Sequence, residues 1–134
     1  MRDVNYALIS QCSLQCEFCP LWQRPIHEQR YLPLADAVAD IKRLSGKWTH
    51  RQVRLHLGGG DPLLYPELLT LLKQTRRDFG EIILYTPGLR YELMATQLRP
   101  LIDTLCLVFN HPIEADNNRI GGAAQWKILN SALS

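Results

Sequence analysis

Hydrophobic and polar positions along this chain alternate between two rhythms. Short apolar or β-branched runs at residues 4–10, 53–57, 81–86 and 104–109 have the length and composition of β-strands. In the second run Val53, Leu55 and Leu57 alternate with Arg54 and His56, while the third and fourth are nearly continuous, as in strands covered on both faces. Between the runs the period lengthens. Leu34, Ala37, Val38, Ile41 and Leu44 fall on one helical face, and Ser45-Gly46 supplies a stop. A second helix follows Pro66, with Leu68, Leu71, Leu72, Thr75 and Phe79 on its apolar side and Gly80 at its end. A third spans 92–98, and Trp126, Leu129 and Leu133 mark a last one after Gly121-Gly122. Residues 116–119 read as a polar loop.

Strands that alternate with helices predict parallel βαβ units. Right-handed crossovers would set the helices on one side of a curling sheet. The expectation is an α/β fold: an open partial (β/α) barrel of about four parallel strands, with helices on its outer face. No linker or repeat divides residues 1–134, so a single domain is expected. In such folds functional loops gather beyond the carboxyl ends of the strands. Four segments share that rim: residues 12–19, 58–61, 86–88 and 110–111.

Composition narrows the classes of function. A net charge of +2 with no basic run gives no reason to expect nucleic acid or an anionic membrane as a partner. No apolar run approaches a membrane span, and the first residues lack the apolar core of a signal peptide, so a cytoplasmic protein is expected. Clustered cysteines in that compartment point to metal rather than to disulfides.

The cysteines carry the candidate chemistry. Cys12, Cys16 and Cys19 are spaced C-x-x-x-C-x-x-C, whereas the remaining cysteine, Cys106, lies in an apolar run and reads as a small buried hydrophobe. Thiolates suit iron–sulfur clusters. Three ligands would leave one iron open to a substrate or cofactor. Gly58-Gly59-Gly60 would let backbone approach a ligand closely, and Asp61 could accept hydrogen bonds from an ammonium group. A plain strand-to-helix turn is the structural alternative. Phe18 reads equally as a core aromatic, and Asn110 equally as a turn residue. His27 would complete a Cys3His zinc site, although zinc leaves the glycine run unexplained. His56 points away from Val53, Leu55 and Leu57, toward the open side of the sheet or toward a satisfied surface.

The cysteine loop, the aromatic Phe18 before Cys19 and the segment Gly59-Gly60-Asp61-Pro62-Leu63 together resemble the radical S-adenosylmethionine (radical SAM) superfamily. The resemblance implies a [4Fe–4S] cluster on Cys12, Cys16 and Cys19, with SAM chelating the fourth iron. It implies SAM contacts from Gly59, Gly60 and Asp61, from Phe18 near the cluster or adenine, and from Thr86 and Asn110. One electron would split SAM to methionine and a 5′-deoxyadenosyl radical, and that radical would take hydrogen from a substrate. Within the superfamily the chain is similar to the short activating enzymes of glycyl-radical enzymes, notably the activase of anaerobic ribonucleotide reductase. The Gly-Gly-Ala-Ala-Gln segment at residues 121–125 is part of that likeness, with Asn110 standing where an acidic residue is usual. This implies an oxidoreductase whose partner is a glycyl-radical enzyme or another protein, and an electron donor such as flavodoxin or ferredoxin. The competing readings are a radical SAM enzyme that modifies a small molecule or peptide, and a non-catalytic iron–sulfur or zinc module.

Overall fold

The computed structural model describes residues 1–25, 30–122 and 124–133. Its order is β1 (Arg2–Ile9), α1 (Leu34–Ser45), β2 (Val53–Gly59), α2 (Leu68–Thr75), β3 (Glu81–Thr86), α3 (Tyr91–Leu98), β4 (Thr104–Leu107), α4 (Glu114–Gly121) and α5 (Gln125–Leu133). The four strands form one sheet in the order β1-β2-β3-β4, and every pairing is parallel. This is the expected open α/β half-barrel.

One face of the sheet makes the core. Val4 and Leu8 of β1, Val53, Leu55 and Leu57 of β2, and Ile82 and Leu84 of β3 are buried. They join Ala37 and Ile41 of α1, Leu68, Leu71 and Leu72 of α2, and Leu98 of α3 in one cluster. Each large side chain buried there contributes on the order of 2 kcal/mol. Tyr6, on the same face of β1, donates its hydroxyl to Asp40 of α1 at 3.1 Å and so ties strand to helix.

The other face carries no helix core. In-register pairing sets Asn5 beside His56 and Ala7 beside Gly58, then His56 beside Ile83, and Tyr85 beside Cys106. Asn5 and Ala7 are exposed, and His56, Gly58, Tyr85 and Cys106 are half-buried. Cys106 is therefore not the buried hydrophobe that its neighbours suggested: Leu105 and Leu107 turn to the helix side and leave the thiol on the open face. The fourth strand also stops at Leu107, short of the expected 109, and all its residues are only half-buried. It is an edge strand with one uncovered face, which a continuous apolar run does not reveal.

Two helical expectations change. Phe79, placed on the face of the second helix, lies beyond it; α2 gives way to a 3-10 turn at Arg76–Asp78, and Phe79 is extended and buried. Residues 116–119, expected as a polar loop, belong to α4. That helix has no apolar stripe to betray it. Its first turn holds Glu114 and Asp116, and Gly122 in the left-handed conformation (φ 67°) closes its carboxyl end.

Candidate functional site

The site is assembled where β1 leaves the sheet. Ile9 closes the strand after an irregularity in its pairing with β2. The pairing then continues past the strand as two main-chain bonds, from Gly60 N–H to the Ile9 carbonyl and from Asp61 N–H to the Gln11 carbonyl, both 2.7 Å. A Cβ on Gly60 would collide with the Gln11 carbonyl oxygen, and one on Gly59 (φ +125°) with that of Ile9. These two glycines thus let the second strand's exit lie directly against the start of the cysteine loop. Gly58 is different: a Cβ there would meet only Tyr85 Cβ at 3.9 Å, an ordinary contact.

Asp61 locks this junction. It is fully buried. Its Oδ2 accepts from the Ser13 hydroxyl at 2.6 Å, and its Oδ1 accepts from the Thr86 hydroxyl at 2.7 Å and from Leu63 N–H at 3.1 Å. Thr86, also fully buried, in turn accepts from Gly88 N–H at 3.0 Å. One carboxylate thereby ties the cysteine loop to the ends of β2 and β3. Charge-assisted bonds of this kind are among the stronger ones available. Neither Asp61 nor Thr86 reaches solvent, so both act here on the loop's position.

From the other side the loop is held by α4. Gln15 N–H donates to the Gly121 carbonyl at 2.8 Å and Glu17 N–H to that of Ile120 at 3.1 Å. The carboxyl end of the helix has free carbonyls to offer, and the loop uses two of them. Leu14, almost fully buried, rests against Gly121. Arg119 and Glu17 form an exposed ion pair at 2.7 Å, which adds little. Ser13 and the α4 carbonyls are the functional residues that pattern reading passed over. Ser13 carried no signal of its own; Gly122, a left-handed cap after an acidic first turn, was the readable sign of the helix.

The three thiols Cys12, Cys16 and Cys19 are free and half-buried on this clamped loop. Cys12 Sγ faces Leu14 N–H at 3.5 Å, and burial pushes its thiol above the usual range. Asn110 donates its side-chain amide to Cys16 Sγ at 3.3 Å. Its own N–H is held at 2.7 Å by the buried Asn117 of α4. Asn117 bonds Gln125 at 3.0 Å, and Gln125 donates to the carbonyls of Pro87 and Val108 at 2.8 and 2.7 Å. This chain of amides fixes the rim after β3 and β4 against the loop. Phe18 is 71% exposed, which excludes the core reading and leaves an aromatic face free beside Cys19. His27 lies outside the described residues.

Among the described residues no group of three or more His, Cys, Asp or Glu side chains is arranged to hold a metal ion. A four-iron cube spreads its thiolates over separate irons, so it does not require them to converge on one point. Three soft, partly accessible thiols on a short loop, without a fourth on the same rim, fit such a cluster with one iron left open. No helix among the described residues is long and apolar enough to cross a membrane.

The sequence profile of the radical SAM superfamily matches residues 6–131. No curated protein matches the chain significantly.

Proposed function

Since the chain belongs to the radical SAM superfamily, whose domains bind a [4Fe–4S] cluster and SAM, we propose that it generates a radical for a protein substrate of the glycyl-radical class. The cluster and the cofactor come with the family. A cluster held by Cys12, Cys16 and Cys19 would supply the electron for reductive cleavage of SAM.

The chain's own residues then have distinct tasks. Cys12, Cys16 and Cys19 hold the cluster. Asn110, already on Cys16 Sγ, offers a polar group to that sulfur or to the bound cofactor. The Gly59-Gly60 main chain and the exposed Phe18 ring border the place left for SAM. Asp61 and Thr86 keep the cysteine loop seated against the ends of β2 and β3, so that the three thiols that would hold the cluster stay on the rim.

The observation that carries this reading is the single rim on which the cysteine loop, the glycine segment, Thr86 and Asn110 are bonded together. The protein-substrate part is supported by the open face of the half-barrel. Small-molecule sites usually bury most of their ligand, and a large partner would supply the missing wall and exclude water from the radical. An electron donor such as flavodoxin or ferredoxin would deliver the electron.

The test mixes reconstituted protein, SAM and reductant with a glycyl-radical enzyme encoded nearby and records the EPR spectrum. A glycyl doublet on the partner is the expected result. Stimulation of SAM cleavage by a small metabolite, with no partner recovered in anaerobic pulldowns, would replace the protein substrate by a small molecule.

A further inference from the structure

The open face of the sheet holds a hollow of about 240 Å³ bordered by Asn5, Ala7, His56, Gly58, Gly59 and Tyr85. Its upper end is Gly59, the residue that presses against the Ile9 carbonyl at the end of β1. Its wall is a hydrogen-bonded chain across three strands. His56 Nε2 lies 3.0 Å from Asp3 Oδ1, and His56 Nδ1 lies 2.9 Å from the Tyr85 hydroxyl. The two rings stack at 5.7 Å with an interplanar angle of 23°.

The chain has a direction. The hydrogen bond from His56, its largest influence, holds the Asp3 carboxyl below the usual range, so Asp3 is an acceptor only. The Nε2 of a neutral His56 must then carry the proton, which leaves Nδ1 as an acceptor. In that neutral tautomer Tyr85 donates its O–H to His56 Nδ1, and the phenolic oxygen keeps lone pairs for a further donor. Arg54, bonded to Glu81 at 2.7 Å and to Asp3 at 3.5 Å, balances the charge at the lower end of the same face.

The floor is also specified. Gly59 and Gly60 are glycine for a backbone reason, but Gly58 is not, because a methyl group would fit there against Tyr85 Cβ. With Ala7 as its neighbour, Gly58 keeps the floor low. A hollow with a floor of Gly58 and Ala7 and an acceptor oxygen in its wall suits a main-chain amide.

We propose that this hollow binds a peptide segment of the substrate, with the Tyr85 oxygen accepting a main-chain N–H and with His56 and Asp3 as positioning residues that fix the direction of that bond. The inference deepens the protein-substrate reading and rests on it for the reaction, though not for the binding.

The probe is acetyl-glycyl-glycinamide, titrated calorimetrically into the reconstituted full chain with SAM and without reductant. Binding in the millimolar range is expected. A fully N-methylated analogue, which lacks the N–H groups, should bind at least tenfold more weakly. Gly58→Ala and Tyr85→Phe should each weaken the capped peptide about tenfold or more. His56→Gln, which offers Tyr85 a side-chain carbonyl in place of the ring nitrogen, should recover affinity relative to His56→Ala. No binding, equal binding of the N-methylated analogue, or affinity unmoved by both Gly58→Ala and Tyr85→Phe overturns the proposal. Circular dichroism of each variant separates loss of the hollow from loss of the fold. Because no reductant is present, this result is independent of whether SAM is cleaved, which is judged on the unmodified protein.

Discussion

Asp61 shows how much one buried side chain decides at this site. The motif alone offers it to a ligand's ammonium group; the structure gives its oxygens to Ser13, Thr86 and Leu63. Asp61→Ala should therefore cost about 3 kcal/mol in urea unfolding, because two hydroxyls and one N–H lose a charged partner inside the protein. Asp61→Asn keeps one acceptor and adds a donor that Ser13 Oγ can accept, so it should cost roughly half as much. Equal stability of all three proteins would mean that the carboxylate does not hold the loop. Burial at this scale could not be read from the chain, since an acidic residue after a glycine run looks the same whether it faces a ligand or two neighbouring loops. Phe18 illustrates the reverse: an aromatic with even claims to the core and to a place beside the cluster or adenine, found 71% exposed.

At the scale of elements, the exit of β1 and the turn after β2 behave as one unit joined through glycine. Gly60→Ala should unseat the cysteine loop, costing about 2–3 kcal/mol through the clash with the Gln11 carbonyl. Anaerobic reconstitution of that variant should yield less iron per chain than the unmodified protein under identical conditions. Full iron loading with unchanged stability would show that the contact is dispensable. The strands and the helices α1, α2, α3 and α5 were legible, because each carries a periodic apolar face, and the shared rim followed from where the strands end. The fourth helix was not. Its sequence, Glu114-Ala115-Asp116-Asn117-Asn118-Arg119-Ile120-Gly121, is polar almost all round, and its work is done by two terminal carbonyls and the Asn117 side chain. Hydrophobic patterning records burial of apolar area, and backbone acceptors leave no trace in it. The same blindness hid the open face behind β4, where apolar Leu105 and Leu107 alternate with Thr104 and Cys106.

Over the whole molecule, one face of the sheet is spent on stability and the other is left open. The helices cover the first. The second runs from the Arg54–Glu81 pair, past His56 and Tyr85, up to the rim where three thiols sit on a loop clamped by β2 and α4. That division matches an enzyme whose cofactor lies at the top and whose substrate arrives from the open side. The central claim is that this loop carries a cluster with an open iron that cleaves SAM. The most direct measurement is chromatographic quantification of 5′-deoxyadenosine after anaerobic reconstitution, with SAM and a strong reductant. The unmodified protein should incorporate four irons and form 5′-deoxyadenosine, and Cys16→Ala should form none. A protein that loads its four irons fully yet neither binds nor cleaves SAM, or that is purified anaerobically with stoichiometric zinc and takes up no iron, would contradict it.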